Sequence, residues 1–263
     1  MSDELSDADL ERYARQIVLR EVGPEGQRRV RAASVAVVGA GGLGSASLLY
    51  LAAAGVGRIT VIDDDRVSLD NLQRQVLHDT GAVGEPKTHS ALRRVDALNP
   101  EVRVRTVERR LDAENAVALL RGHDLVLDGS DNFSTKFAVN DACVALGIPA
   151  VIVGILRFDG QVVTVPPGAP CYRCLFRDEP PPGQVPTCSA AGVLGPVAGV
   201  VGSLQAAEAL RLLLGIGAPQ GGRILTVEML DPRVRSVPFP ADPDCPACAA
   251  RPAAKQQERS VVS

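Results

Sequence analysis

The sequence is poor in aromatic side chains and carries little surplus charge of either sign. Aromatic residues make up 3% of its 263 residues and tryptophan is absent, which argues against stacking of single-stranded nucleic acid on aromatic platforms. The formal net charge is −3 at pH 7, so neither a nucleic-acid surface nor an acidic disordered tract is indicated. With 46% hydrophobic residues, the core must be built mainly from alanine, valine and leucine.

The sequence also lacks the patterns of a signal peptide, a membrane span and a P-loop. Residues 1–5 are acidic and form no apolar h-region. The longest apolar run, residues 193–204, contains Pro196 and falls short of the about 20 residues that cross a bilayer. We therefore expect a cytoplasmic protein with no membrane partner, and the missing GxxxxGK(S/T) run excludes a P-loop.

Strand and helix signals alternate between residues 34 and 154. This order predicts an α/β fold, a Rossmann-like and mostly parallel sheet with helices on both faces. Later alternating segments predict antiparallel strands that extend the sheet. The predicted strands are 34–38, 58–62, 101–107, 124–127, 150–153, 161–165 and 224–229, and the predicted helices are 6–21, 43–54, 86–99, 133–146 and 192–214.

No linker or internal repeat divides the chain, which favours a single domain over residues 1–263. Within it we distinguish N-terminal helices at 1–33, a half of alternating strands and helices at 34–154, a second half at 155–248, and a flexible tail at 249–263.

A glycine-rich turn follows the first predicted strand, with Gly39, Gly41, Gly42 and Gly44. In such a turn the first glycine allows a tight bend, the second a close approach of phosphate, and the last close packing of helix on strand. The following helix N-terminus adds partial positive charge, and Asp63, at the end of the second strand, would accept hydrogen bonds from a ribose. The pattern predicts nucleotide binding, with a purely structural turn as the alternative, and does not identify the nucleotide.

Three further charged residues could face phosphates. Lys87 follows Pro86 in the first turn of a predicted helix, where the dipole disfavours a cation, and such a local inconsistency often marks a functional site. Together with Arg74 it could clamp a triphosphate, or both could be solvated surface cations. Asp131 follows the end of a strand and could hold Mg²⁺ or cap a helix.

Two matched cysteine pairs are the strongest signal. Cys171 and Cys174 have C-x-x-C spacing, as do Cys245 and Cys248. In a reducing compartment, four thiolates suit tetrahedral Zn²⁺ with no position open for substrate. We therefore predict a structural zinc site, with redox pairs or disulfides as alternatives.

The remaining cysteines and the histidines carry weaker signals. Cys143 lies in an apolar helical pattern and is predicted to be core. Cys188, after the polar, proline-rich loop 177–186, could be a nucleophile near a helix N-terminus or an inert loop cysteine. The three histidines have no metal or triad spacing and are predicted to be surface or capping residues. They are His78, His89 and His123.

In combination, these motifs resemble the MoeB/ThiF/HesA family, bacterial relatives of the ubiquitin-activating enzyme, and most of all its molybdopterin-synthase branch. The resemblance covers roughly residues 5–248 in the right order. It rests on residues 12–16 (RYARQ), 39–44, 54–57 (AGVG), 63, 71–75 (NLQRQ), 86–87, 130–132 (SDN), 171–174, 187–188 and 245–248.

The resemblance implies an enzyme that binds Mg-ATP and adenylates the C-terminal glycine of a small ubiquitin-fold sulfur carrier ending in Gly-Gly, releasing pyrophosphate. A separate sulfur donor, a rhodanese or a cysteine desulfurase, would then form the thiocarboxylate. The half at 34–154 would bind the nucleotide, and the half at 155–248 would bind the carrier and the zinc. The loop 177–186 is the expected passage for the carrier tail. Carriers of the MoaD, ThiS and cysteine-biosynthesis types all stay open.

The resemblance also implies roles for single residues. Asp63 would hold the ribose, Asn71 would lie at the phosphates, Arg74 and Lys87 would stabilise phosphate charge, and Asp131 would bind Mg²⁺.

Two further implied roles lie outside this group. Arg15 is expected to reach the ATP site of the partner subunit in a homodimer. Cys188 matches the cysteine that relatives use for a thioester or a persulfide linkage. No general base is needed, because the attacking carboxylate is already ionised, which agrees with the lack of a histidine-based catalytic group.

Two other classes of protein share part of these features. A nicotinamide-dependent oxidoreductase would use the glycine turn and Asp63, but it has no need of Mg²⁺ or of the cations at Arg74 and Lys87. A non-catalytic, zinc-stabilised nucleotide sensor would bind ATP without turnover. Carrier-dependent exchange of pyrophosphate into ATP would distinguish these classes.

Overall fold

An eight-stranded sheet forms the centre of the computed structural model, which describes residues 4–181, 191–218 and 220–249. The strands are β1 (Ser34–Val38), β2 (Arg58–Ile62), β3 (Arg103–Val107), β4 (Leu125–Asp128), β5 (Ala150–Leu156), β6 (Asp159–Val165), β7 (Arg223–Glu228) and β8 (Arg233–Pro238). Their order is β3-β2-β1-β4-β5-β6-β7-β8. The first five pair in parallel and the last three continue antiparallel, so the predicted fold class is confirmed.

Helices cover both faces of the sheet. They are α1 (Asp7–Arg12), α2 (Ala14–Ile17), α3 (Gly23–Ala32), α4 (Gly42–Ala53), α5 (Lys87–Leu98), α6 (Ala116–Leu120), α7 (Phe133–Leu146), α8 (Tyr172–Leu175) and α9 (Gly195–Leu214). Side chains alternate along each strand. Val35 and Val37 of β1 therefore join the core under α3, α4, α5 and α9, while Ala36 and Val38 join the core under α6, α7 and α8.

The N-terminal helix is shorter than predicted. Its capping box is present, with the Asp9 N–H donating to Ser6 Oγ at 3.1 Å and the Ser6 N–H to Asp9 Oδ2 at 2.9 Å. The predicted continuation to residue 21 is wrong, because buried Tyr13 separates α1 from α2. The Tyr13 ring packs against Gly55, and its hydroxyl accepts a 2.8 Å hydrogen bond from Asn99 Nδ2.

Other differences concern exposed and short elements. Leu10 and Val18, two apolar residues of the predicted helix 6–21, are 43% and 74% exposed. The sequence patterns also missed β8, which is exposed along its whole length and therefore has no burial pattern to reveal it, and the short helices α6 and α8.

By length and composition alone, the 20-residue helix α9 could cross a membrane. The apolar run at 193–204 covers only the first half of this helix. In the fold it is a core helix, with Val197 and Val201 buried. Gln205 Nε2 donates to the carbonyl oxygens of Asp128 at 2.9 Å and Val151 at 2.8 Å. These bonds join α9 to β4 and β5.

Small residues bring α9 close to its neighbours. A Cβ at Gly202 would lie 2.4 Å from the Leu43 carbonyl oxygen of α4, and a Cβ at Gly195 would meet a backbone oxygen at the same distance. Gly199, between these two positions, differs from them, because a Cβ there would meet open space among the described residues.

These two glycines give a matched test within one helix. Gly202→Ala is expected to lower the free energy of unfolding by about 1–3 kcal/mol, because α4 must shift away from the new methyl group. Gly199→Ala should raise it by about 0.5–1 kcal/mol through helix propensity. Urea denaturation measures both, and equal effects of the two substitutions would contradict the close approach at residue 202.

Candidate functional site

A cavity of about 1120 Å³ opens at the carboxyl ends of the parallel strands. The chain runs from β1 outward to β2 and β3, and then returns to the other side of β1 as β4. Open α/β sheets bind ligands at such a switch point. The volume exceeds the about 300–1,000 Å³ of ordinary small-molecule pockets, so the cavity has room for a second group beside one ligand.

The glycine turn forms the floor of this cavity. Gly39 has a φ of +89°, a conformation that glycine adopts readily. A Cβ at Gly44 would lie 1.9 Å from the Gly39 carbonyl oxygen, so only glycine allows this packing of α4 on β1. Gly41 and Gly42 line the cavity, where the first backbone N–H groups of α4 begin.

Asp63 braces the turn from the end of β2 and lines the cavity. Its Oδ2 accepts from the Ala40 N–H at 2.7 Å and its Oδ1 from the Asp65 N–H at 2.8 Å. Burial raises the pKa of Asp63, although the Lys87 charge and both N–H donors act to lower it. Each carboxylate oxygen keeps a second lone pair that could accept from a ligand hydroxyl.

Two cations face the same space. The Lys87 side chain is 5% exposed, with Nζ 2.7 Å from Asp65 Oδ2, so it is not a solvated surface cation. Arg74 is half-buried and donates to Asn71 Oδ1. Lys87 and Arg74 line the cavity, whereas Asn71 lies behind Arg74, outside the lining.

Asp131 lies on the cavity wall beyond β4. The cap of α7 is Asn132, whose Oδ1 accepts from the Thr135 N–H at 2.9 Å, so the helix-cap alternative for Asp131 does not hold. The exposed Asp131 carboxylate has no hydrogen bond or ion pair within the described residues, and it can accept a cation. Carboxylate oxygens at residues 63–65 also lie within 4.8 Å of one another.

A buried ion pair beside Asp131 was missed in the sequence. Lys136 Nζ lies 2.8 Å from Asp128 Oδ2, 2.7 Å from the Ser130 carbonyl oxygen and 2.5 Å from that of Val153. These contacts tie the loop carrying Asp131 to β4 and β5. A lysine within the largely apolar helix 133–146 was the signal that could have revealed it.

The histidines differ in their environments. His78 is 7% exposed, so the prediction of a surface or capping residue is wrong for it. His123 does bond the Leu120 carbonyl oxygen at the end of α6, at 3.0 Å. His89 lies on the surface beside Glu108.

The four paired cysteines form a cluster under α7, on the face opposite α9. The sulfur atoms of Cys171 and Cys245 are 3.5 Å apart, those of Cys174 and Cys248 are 3.4 Å apart, and all four lie within 4.8 Å of one another as free thiols. Tetrahedral zinc with Zn–S bonds of about 2.3 Å requires sulfur separations of about 3.8 Å. The spacing therefore fits zinc with little rearrangement.

Neighbouring residues hold this cluster in place. The Nδ2 atom of Asn140, on α7, donates to Cys171 Sγ at 3.7 Å. The Oδ1 atom of Asn140 accepts from the Tyr172 N–H at 2.8 Å. Tyr172 lines the cavity, so the cluster and the cavity share a wall. Burial raises the pKa of Tyr172, which keeps the phenol neutral.

Cys143 is buried, as predicted.

The structure does not bring the last two candidates into the cavity. Arg15 on α2 is exposed and lies outside the cavity lining in the described part of the chain. Cys188 lies outside the described residues, as does the second half of the loop 177–186, residues 182–186.

The sheet and the glycine turn at its switch point define a Rossmann-like domain. Antiparallel strands extend this domain, and a four-cysteine cluster links the segments that follow β6 and β8. Residues 13–247 match the ThiF family, and the chain belongs to this family. The resemblance predicted from the sequence is thereby confirmed.

Two relatives match nearly the full chain. A "Sulfur carrier protein adenylyltransferase" of Thermus thermophilus is 52% identical over 254 residues, which cover 94% of each chain. A "SAMP-activating enzyme E1" of Haloferax volcanii is 49% identical over 248 residues, covering 94% of this chain and 92% of the relative. Among solved structures, E. coli MccB superposes with a TM-score of 0.81 at 23% identity, covering 98% of this chain and 77% of MccB, which shows the shared fold.

Proposed function

We propose that the protein uses Mg-ATP to adenylate the C-terminal glycine of a small ubiquitin-fold sulfur carrier, releasing pyrophosphate. The cavity at the switch point carries the proposal, because it gathers Asp63, Arg74, Lys87 and Asp131 around the glycine turn. Family membership and the printed function of the Thermus relative support it.

The residues fit the electrostatics of this reaction. Attack of a carboxylate on the α-phosphorus brings two anions together, so the transition state needs positive charge. Lys87 and Arg74 supply fixed cations, and the first N–H groups of α4 supply partial charge. Mg²⁺, held by Asp131, would neutralise further phosphate charge. The attacking carboxylate is already ionised, so no residue has to remove a proton from it.

The nucleotide has a defined orientation in this proposal. Asp63 accepts hydrogen bonds from the ribose hydroxyls. Arg74, steadied by Asn71, faces the phosphates. The glycine turn lies under them.

The carrier enters from the side of the antiparallel strands. Beyond the phosphates the cavity is lined by apolar residues such as Leu156 and Phe176, a suitable channel for a slender Gly-Gly tail. At its mouth, Leu230 lines the cavity and is 77% exposed. Exposed apolar groups beside a substrate channel suit a protein substrate.

The protein works as a homodimer in the cytoplasm, with no membrane or nucleic-acid partner. Val18 and Leu19 are 74% and 52% exposed and follow Arg15 closely in the chain. Covering them with a second subunit would bury apolar surface and carry Arg15 toward the partner's site. A separate protein, a rhodanese or a cysteine desulfurase, supplies the sulfur.

The cysteine cluster holds structural Zn²⁺. Cys171 and Cys174 follow β6, and Cys245 and Cys248 follow β8, so the metal ties the segment after β8 to the segment after β6. Four thiolates leave no coordination position for substrate. The zinc therefore contributes to stability and has no part in the chemistry.

Pyrophosphate exchange into ATP tests the proposed function. The purified protein is supplied with Mg-ATP, labelled pyrophosphate and candidate carriers ending in Gly-Gly. Label should enter ATP only with a cognate carrier, and carriers of the MoaD and ThiS types are compared in parallel. A carrier shortened by its last glycine is the matched control. Turnover of a nicotinamide cofactor, or ATP binding without exchange with any carrier, would contradict the proposal.

Cys188→Ala should leave adenylate formation within about twofold of wild type, because the proposed chemistry needs no nucleophilic side chain. A defect is expected only in the later transfer of sulfur to the carrier. Exchange and thiocarboxylate formation are measured on the same preparation. Loss of exchange itself would contradict this division of roles.

A further inference from the structure

His78 lies behind the glycine turn, outside the cavity lining, and has no part in the mechanism above. Its Nε2 is 2.8 Å from the Ala40 carbonyl oxygen and its Nδ1 is 2.9 Å from Ser90 Oγ. A carbonyl oxygen can only accept, so Nε2 carries the proton and Nδ1 accepts from the Ser90 hydroxyl. Burial lowers the pKa of His78, in keeping with this neutral form.

Ala40 is held from two sides. Its N–H donates to Asp63 Oδ2 at 2.7 Å, and its carbonyl accepts from His78. In a trans peptide the carbonyl and the following N–H point in opposite directions. Because His78 holds the Ala40 carbonyl on the buried side, the Gly41 N–H points to the other side, where Gly41 lines the cavity.

The Gly41 N–H is a donor in need of an acceptor. It has no hydrogen-bond partner in residues 4–181, 191–218 and 220–249. It lies next to the N-terminus of α4, which starts at Gly42, where backbone N–H groups bind anions. His78 therefore fixes the direction of a donor that is left for a ligand.

The same imidazole reaches the helix that carries Lys87. Ser90 lies three residues after Lys87 in α5, close to one helical turn. Lys87 itself is held by Asp65 at 2.7 Å. One buried side chain thus connects the glycine turn to the first turn of α5, and so connects two groups that face the cavity.

We propose that His78 is a positioning residue that sets the spacing between the Gly41 amide and Lys87, and thereby favours a triphosphate bound between them. The proposal rests on the proposed function in taking a nucleoside triphosphate as the ligand. His78 does not touch this ligand and acts through Ala40 and Ser90.

Two polar substitutions separate positioning from simple loss of a buried side chain. In His78→Gln, the longer side chain can place an amide N–H near the position of Nε2 and keep the bond to Ala40. In His78→Asn, the shorter side chain cannot reach it. The matched control is His123→Asn, because His123 also bonds a carbonyl oxygen at 3.0 Å and a hydroxyl, that of Thr60, at 2.9 Å, away from the cavity.

The measurements are the Kd of Mg-ATP by calorimetry, and KM and kcat for ATP in carrier-dependent exchange. His78→Asn should raise Kd and KM about tenfold and change kcat less than about threefold, as expected for loss of one buried hydrogen bond that orients a ligand donor. His78→Gln should stay within about threefold of wild type. His123→Asn should leave Kd unchanged.

Three results would overturn the proposal: an unchanged Kd in His78→Asn, an equal rise in His123→Asn, or no recovery in His78→Gln. The proposed function fails separately. If wild-type protein binds Mg-ATP but gives no exchange with any carrier, the proposed adenylation is contradicted. The Kd values of Mg-ATP for wild type and the three variants still test the role of His78. Wild-type protein that does not bind Mg-ATP overturns both.

Discussion

Asp131→Ala is expected to lower carrier-dependent pyrophosphate exchange by about 10²- to 10³-fold, the usual effect of removing one preorganised electrostatic group from an active site. Asp131 lines the cavity, and Asn132 takes the role of helix cap beside it. Its carboxylate is therefore left for a cation. The substitution removes this ligand while the fold of α7 is retained.

The loss should depend on magnesium. Raising Mg²⁺ should recover part of the exchange in Asp131→Ala, because the triphosphate still binds the metal weakly without the carboxylate. Asp96→Ala is the matched control, since Asp96 is exposed on α5 and lies outside the cavity lining. Zinc content should stay at the wild-type value in both variants. Full activity of Asp131→Ala at low Mg²⁺ would remove the metal-binding role.

Cys174→Ser is expected to lower the zinc content well below one ion per chain and to destabilise the fold. A site saturated about 1,000-fold above its Kd contributes about 4 kcal/mol, and loss of the metal removes this contribution. The free energy of unfolding should fall by about that amount. The cause is local, because Cys174 Sγ lies 3.4 Å from Cys248 Sγ within the four-thiol cluster.

Cys143→Ser is the control for this substitution. Cys143 is buried in α7 but lies outside the four-thiol cluster. Its zinc content, measured by elemental analysis on the same preparation, should match wild type. Wild-type zinc content in Cys174→Ser would contradict the four-thiolate site. An equal loss of zinc in Cys174→Ser and Cys143→Ser would indicate general unfolding as the cause.

The sequence was sufficient where chemistry or local conformation left few choices. The turn from Gly39 to Gly44 could be predicted because its glycines follow a short apolar strand and precede a helix, all within a few residues. The cysteine cluster could be predicted although Cys171 and Cys245 are 74 positions apart in the sequence, because four thiols in two C-x-x-C pairs have few other uses in a reducing compartment.

The sequence was insufficient where a residue's role depends on remote partners. Tyr13 interrupts the N-terminal helix because of Asn99, 86 residues away. His78 is buried because its ring meets Ala40, 38 residues earlier. The partners of Lys136 on β4 and β5 likewise become visible only when the strands are aligned. Single-residue patterns carry no information about such pairings.

The most direct test of the central claim is intact-mass analysis of the carrier after one turnover with Mg-ATP and the protein. The claim predicts a carrier species heavier by one AMP on its C-terminal glycine, formed together with pyrophosphate and lost when the last glycine is removed. A cognate carrier that stays unmodified while the protein is saturated with Mg-ATP would contradict it.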